Sequence, residues 1–445
     1  MRMPQAYCGF DGGLQAEPDA PPCACRLSAR GGASGGRRRL RRPMTGEAGT
    51  AVVRLAARGD GVTADGRFVP GAVPGDLLLP DGRLLPGPQR VAPACRHFGT
   101  CGGCQLQHAG EAALADFARA RCLEPLSALG IRPAEVRPVH LSPPGARRRA
   151  SLRAARRDGV VRLGFSRRGA HALVDVVECP VLAPSLAALV PPLRALLARL
   201  LPPRGAVSAA LALCDQGVDL LLSDLAPDRL DGAEALAAFA REEGLARLAI
   251  AGPDGLDILW EPEPATVTLG GVRVRHPPGA FLQATADGEA ALVAAVREGA
   301  GKARAVADLF AGLGTFALPL SAAARVHAVE GSGAAVSALL RAARAAGRPV
   351  SAEHRDLFRR PLAAAELASF DAVVFDPPRS GAAAQAAELA QAPVPVAIAV
   401  SCNPATFARD ALRLVSGGFR LETLWPVAQF RWSTHVELVA RFERR

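Results

Sequence analysis

From about residue 275 the chain alternates short apolar runs with alanine-rich helical stretches, and this rhythm constrains the fold more than any other feature. Strand-like runs stand at 304–309, 325–329, 371–375 and 394–400. Strands that alternate with helices predict a doubly wound α/β domain with a parallel sheet, here over residues 271–445. Open sheets of this kind place their sites at the carboxyl ends of the strands. The residues at those ends therefore carry the functional argument.

"AVADLFAGLGTFALPL" runs from strand through a glycine turn into helix, with Asp308 at the strand end. Gly312 and Gly314 allow a backbone approach that a side chain would block. Twenty-two residues after Asp308, "VHAVE" ends a second strand in Glu330. A carboxylate there can take two ribose hydroxyls, in a dinucleotide site or an S-adenosylmethionine (SAM) site. Asp356, in "AEHRDLF", is placed to meet an adenine amino group. "FDAVVFDPPRSG" ends a later strand in Asp376-Pro377-Pro378. Base-modifying methyltransferases set an acid-Pro-Pro turn beside the target base; it disfavours a nicotinamide dehydrogenase. Cys402, in "SCNPATFARD", closes the next run. A free cysteine is most often core, but this one sits on the rim where the sheet binds ligands.

"CRHFGTCGGC" gives Cys95, Cys101 and Cys104, with Gly99, Gly102 and Gly103 letting the backbone wrap a bound centre. A fourth ligand is required for a tetrahedral zinc or a four-iron cluster. Cys179 in "VECPVL" fits, while Cys122 falls in a helical pattern (111–129) and reads as core. Thiolates alone do not choose between zinc and iron–sulfur. The chain has ten cysteines, unevenly spaced, which points to a reducing cytoplasm rather than a secreted disulfide framework.

Residues 44–92 read as five short strands between glycine turns, a small OB-like β-barrel of a kind that often binds nucleic acid. Residues 93–270 are mixed α/β. Within them, 147–182 alternates arginine with apolar residues and turns at Asp158-Gly159, as a hairpin with one guanidinium-bearing face would. The stretch 185–250 reads as helix, strand, helix. The net charge is +11, which suits a polyanionic partner; Lys302 is the only lysine. Residues 1–43 hold eight arginines against Asp11, Glu17 and Asp19, have no periodicity and read as a disordered or gene-model extension, with translation expected from Met44. No unbroken apolar run reaches membrane-spanning length, so a soluble, cytoplasmic monomer with no membrane association is expected.

With these motifs in hand, the chain resembles the RNA 5-methyluridine (uracil-C5) methyltransferases, most closely the TRAM-containing type that acts on 23S rRNA. The resemblance covers roughly 45–445. It rests on "RGDGV…FVPGAVPGD", "CRHFGTCGGCQLQH", "ECPVL", "GAFLQAT", "DLFAGLGTFALPL", "DPPRSG", "SCNP" and "THVELVARF", in the family's order. It implies a Rossmann-like class I SAM methyltransferase domain after a TRAM barrel and an iron–sulfur domain. It implies that Cys95, Cys101, Cys104 and Cys179 hold a 4Fe-4S cluster. It carries SAM contacts onto Gln283, Phe310, Glu330, Asp356 and Asp376, beside the glycine loop of Gly312, Gly314 and Thr315. Thr315 and Asp356 stand where asparagine is expected. The implied reaction adds Cys402 to uridine carbon 6 and removes the carbon 5 proton with Glu437. Asp376 would orient the uracil edge and Arg379 would meet phosphate or base. A tRNA-directed enzyme and a non-catalytic RNA-binding or assembly factor are the alternatives.

Overall fold

Between Thr50 and Leu85 the alternation of apolar and polar residues becomes five short antiparallel strands. The computed structural model describes residues 49–170, 172–225, 230–253 and 255–444; the expected extension 1–43 and the start at Met44 lie outside them. Strands β1 (Thr50–Leu55), β2 (Gly61–Thr63), β3 (Phe68–Val69), β4 (Leu77–Leu78) and β5 (Leu84–Leu85) pair in the order β3-β2-β1-β4-β5. A bulge between Val52 and Arg54 bends β1, which curls the sheet as an OB-like barrel requires. A Cβ on Gly61 would stand 2.7 Å from that of Ala72, so only glycine allows this closure.

Helix α1 (Glu111–Ser127) follows, then β6 (Glu135–Val136) and β7 (His140–Leu141). The arginine-rich stretch is the expected hairpin, β8 (Arg149–Arg157) and β9 (Val160–Ser166). Asp158 and Gly159 both have positive φ, 53° and 78°, the turn whose twist suits a two-residue hairpin. Ala150, Leu152, Ala154 and Leu163 point inward, while Arg153, Arg157 and Arg162 are exposed. The sheet continues through β10 (Leu173–Asp175), β11 (Ala206–Cys214), β12 (Gly217–Ser223), β13 (Arg247–Gly252) and β14 (Gly255–Trp260). Helices α2 (Pro184–Leu200) and α3 (Leu230–Glu242) accompany it. The expected helix, strand, helix over 185–250 is therefore too simple, because β11, β12 and β13 all fall there. Strand β12 is buried at five consecutive positions, and such an apolar run has no periodicity to separate strand from helix.

This central sheet contains a fully buried arginine. Arg247 pairs bidentately with Asp219 at 2.9 and 2.6 Å. It also donates to the His276 carbonyl at 2.8 Å and to Glu261 at 3.2 Å. Arg247→Met would strand the Asp219 carboxylate without its main partner. The expected cost is about 3–5 kcal/mol, the range for breaking a buried ion pair, read from denaturant unfolding.

The hairpin of β15 (Thr266–Leu269) and β16 (Val272–Arg275) packs Val267, Leu269, Val272 and Val274 into the same core as Leu313 and Leu339. It thus straddles the expected boundary at 270 while sharing the C-terminal core. Next come α4 (Ala286–Ala300), β17 (Ala305–Leu309), α5 (Ala317–Leu320), β18 (Arg325–Glu330), α6 (Gly333–Ala345) and β19 (Val350–His354). They are followed by α7 (Ala364–Leu367), β20 (Ala372–Phe375), α8 (Ala383–Gln391), β21 (Val396–Ser401), α9 (Pro404–Ser416), β22 (Phe419–Ala428) and β23 (Glu437–Arg444). The sheet order is β19-β18-β17-β20-β21-β23-β22-β6, with β7 also on β22. Strands β17 to β21 are parallel and β23 runs against β21. Burial on both faces explains the largely apolar runs of β17, β20 and β21. Two cores, one on each face, hold the sheet. No helix among the described residues is long and apolar enough to cross a membrane.

Candidate active site

The antiparallel β23 brings the C-terminal motif to the carboxyl ends of the parallel strands. Ser401 pairs with Leu438, so Cys402 just past β21 and Glu437 at the start of β23 are neighbours. Asp376 leaves β20 beside them. Its loop is held on α9: Asn403 Nδ2 and Thr406 Oγ1 donate to the Arg379 carbonyl at 3.0 and 3.1 Å. Asp410 accepts from Ala382 N at 2.7 Å. Asn403 caps α9 by accepting from Ala405 N, and Pro404 opens the helix, as an N-cap followed by proline should. The "SCNP" sequence thus makes a sharp strand-to-helix turn with the thiol at its apex.

The corner is electronegative and poorly solvated. Burial pushes Glu437 up to about 7, against opposing pulls from Gln429, Arg149 and Arg379. Asp376 is raised well above the carboxylate range by burial and by the charges of Glu437 and Asp308. Burial and the two carboxylates push the Cys402 thiol up to about 12, with Arg379 acting the other way. Burial and Arg379, Arg147 and Arg121 push His435 down to about 4, so its imidazole is neutral near pH 7. A group with its pKa near 7 is suited to accept a proton at neutral pH.

Beside this corner lies a backbone cradle. Phe310 adopts a left-handed conformation, φ 62°, a strain of about 1–3 kcal/mol that proteins retain mainly at functional sites. Gly312, φ 54°, faces open space where a Cβ would meet nothing within 4 Å. Glu330 accepts from Gly312 N at 2.9 Å and Ser332 N at 2.7 Å, which locks the carboxylate at the end of β18. Asp356 is exposed, and its Oδ1 accepts from Phe358 N at 2.9 Å. Gly314 serves packing: a Cβ there would stand 2.5 Å from Leu339. Thr315 lines a cavity of about 330 Å³ with Glu289 and Arg297 of α4. A wider basin of about 810 Å³, lined by Arg304, Arg325 and Arg348, lies at the opposite, amino ends of the strands, away from this chemistry. Gln283 belongs to the corner, with Nε2 3.5 Å from Asp376 Oδ2.

Cys95, Cys101, Cys104 and Cys179 are free and partly buried. Their segments are tied together: Arg96 N donates to Glu178 at 2.8 Å and Val177 N to His97 Nε2 at 3.2 Å. His97 N and Gly103 N each point at a cysteine sulfur at 3.4 Å. Burial, with smaller contributions from the other thiols, pushes Cys104 up to about 11. Cys122, fully buried in α1, is core, as expected.

Three contributors had no sequence signal of their own. Phe358 is 51% exposed and its ring stands 5.5 Å from that of Phe310. Phe281 is also exposed and lies under the Arg149 guanidinium at 4.4 Å. Gln429 is buried between Gln283 and Glu437. Lone aromatic and amide residues carry no spacing rule, so only the fold could reveal them.

Comparison with known proteins agrees with this geometry. The family model described as tRNA (Uracil-5-)-methyltransferase matches residues 270–445. An RNA methyltransferase of Zymomonas mobilis is 48% identical over 393 residues, 88% of this chain and 99% of that protein. The 23S rRNA (uracil(1939)-C(5))-methyltransferase of Halomonas elongata is 35% identical, over 87% of this chain and 88% of that protein. The fold matches that of Pyrococcus abyssi tRNA (uracil-54, C5)-methyltransferase, solved with S-adenosyl-L-homocysteine, at TM-score 0.68 and 23% identity, covering 89% and 99% of the two chains. The C-terminal sheet is therefore a class I SAM methyltransferase fold. This chain belongs to the RNA uracil-C5 methyltransferase family, enzymes that take their methyl group from SAM.

Proposed function

We propose that the protein methylates carbon 5 of a uridine in 23S rRNA, in the cytoplasm, through a covalent Cys402 adduct. The observation that carries the mechanism is the convergence of Cys402, Asp376 and Glu437 at adjoining strand ends in one electronegative corner. SAM supplies the methyl group as an electrophilic sulfonium, a cation suited to a corner rich in carboxylates. Glu330, Phe310, Gly312, Asp356 and Gln283 are the residues that would hold it, with Phe358 as a further face for adenine. Cys402, once deprotonated, bonds to uracil carbon 6 and shifts the carbon 5–carbon 6 electron pair toward an enolate. Carbon 5 thereby becomes nucleophilic. After carbon 5 carries the methyl group, Glu437 takes its remaining proton. The electron pair returns to the ring and expels the Cys402 thiolate. Asp376 would orient the uracil edge. The exposed arginines of β8 and β9 give the RNA backbone a surface to follow.

The four cysteines fit a 4Fe-4S cluster, the centre that the family resemblance implies. A tetrahedral zinc with Zn–S bonds of about 2.3 Å gathers its sulfurs to about 3.8 Å of one another. Among the described residues the one such trio within 4.8 Å is Cys214, Asp219 and His276, and the buried Arg247 already occupies it. The four thiols stand near enough to raise one another's pKa, backbone N–H groups are aimed at two of the sulfurs, and the family resemblance assigns such a set of four to a 4Fe-4S cluster. The reaction draws nothing from the cluster, so its role is to brace the RNA-facing domain. Anaerobically purified protein should carry about four irons and matching sulfide per chain, and Cys104→Ser should lose most of both. Stoichiometric zinc in their place would overturn the assignment.

The rRNA assignment rests on the Halomonas elongata relative, which is 35% identical over 87% of this chain. The test is incubation of unmodified rRNA and tRNA with labelled SAM, followed by nucleoside mapping. A single 5-methyluridine in 23S rRNA is the expected product. Label confined to tRNA would keep the chemistry and overturn the substrate.

A further inference from the structure

Gln429, just past β22, is 2% exposed. One end of its side chain lies 2.9 Å from Ala284 N and 3.3 Å from Thr285 N. A backbone N–H can only donate, so this end is the oxygen, and the amide orientation follows from the network. The other end is therefore Nε2, which donates to Gln283 Oε1 at 2.8 Å. With its oxygen so engaged, Gln283 must turn Nε2 toward Asp376 Oδ2, at 3.5 Å. On β23, Glu437 pairs with Val427, two residues before Gln429, and the Gln429 amide opposes the rise that burial imposes on its carboxyl. Gly288 of α4 makes room for Gln429: a Cβ there would stand 2.6 Å from the Gln429 Cβ.

We infer that Gln429 is a positioning residue that sets the orientation of Gln283 on the cofactor side and of Glu437 on the base side. Polarity runs outward from two fixed backbone donors, through one buried amide, to Gln283, and strand register sets the same amide beside Glu437. The inference rests on the reading of Glu437 as the base. The charged and titratable groups facing Glu437 are Asp376 beyond β20, Cys402 beyond β21, Arg379 on the loop and Arg149 of β8. His435 lies two residues before Glu437 and is neutral near pH 7. Of the groups near Glu437, Gln429 and Asp376 both touch Gln283, and Gln429 alone of the two is fixed by the backbone donors of Ala284 and Thr285.

The test uses two variants of the full chain. Gln429→Glu keeps an oxygen for Ala284 and Thr285 but replaces the donor by an acceptor. Gln429→Met keeps the volume and removes both functions. Single-turnover methylation of unmodified RNA across pH should show an acid limb near the Glu437 value of about 7. Both variants should move that limb upward by about one unit, Gln429→Glu furthest because a second carboxyl opposes ionisation. SAM binding, measured by calorimetry without RNA, should weaken by about tenfold, the scale of one lost buried hydrogen bond. A lowered melting temperature with limb and SAM affinity unmoved would make Gln429 merely structural and overturn the inference. A parent enzyme without an acid limb would instead overturn the Glu437 reading, and this inference with it.

Discussion

Cys402→Ala abolishes methylation, by about 10⁴-fold or more, while SAM binding persists. Losing a covalent nucleophile has effects of this size because no other group opens the covalent route. The proposed SAM contacts lie on β18, the glycine loop, Gln283 and the segment after β19, and none passes through the thiol. Calorimetric affinity for SAM should therefore stay within about twofold of the parent, since truncating one half-buried thiol outside those contacts costs little. The thiol's position near 12 adds a second check. Burial first, and then the two neighbouring carboxyl groups, disfavour the thiolate, so alkylation of resting Cys402 by iodoacetamide should be slow at pH 7 and quicken as pH rises. Fast alkylation at neutral pH, or retained turnover in Cys402→Ala, would remove the thiolate mechanism.

Glu437→Gln blocks the last step rather than the first. Cys402 still adds to carbon 6 and carbon 5 still receives the methyl group, but nothing removes its proton. The expected result is a protein–RNA adduct that survives denaturing electrophoresis and carries the methyl label. Release should slow by about 10²–10⁴-fold, the usual contribution of a general base. The parent's dependence on pH has a definite sign. Glu437 must be ionised to accept a proton and its pKa is raised to about 7, so turnover falls as pH drops through 7. The double variant with Cys402→Ala should give no adduct. A Glu437→Gln enzyme that turns over normally without a slow-migrating species would move the base elsewhere.

The cysteine motif and the strand-end motifs could be proposed from the sequence because each has a spacing that chemistry imposes. Three cysteines among glycines suit a shared centre, and an acid at a strand end, as Glu330 is, suits a ribose. The hairpin at Asp158-Gly159 was legible because its turn requires positive φ at both residues, which aspartate and glycine tolerate. Strands β12 and β13 were not, since runs buried on both faces look alike whichever backbone they adopt.

What the sequence by itself determined, then, is the rhythm of the parallel sheet and the chemical type of each site residue. What only the tertiary structure decided is which of these residues meet. Cys402 and Glu437 are separated by a helix and a long strand in the chain, and the antiparallel return of β23 makes them neighbours. Cys95 and Cys179 are brought together by Arg96 and Glu178 reaching across. Gln429 had no motif at all, because the polarity of a buried amide is fixed by the donors around it. Local spacing encodes what a residue can do; burial and strand register, set by long-range packing, decide what it does it to.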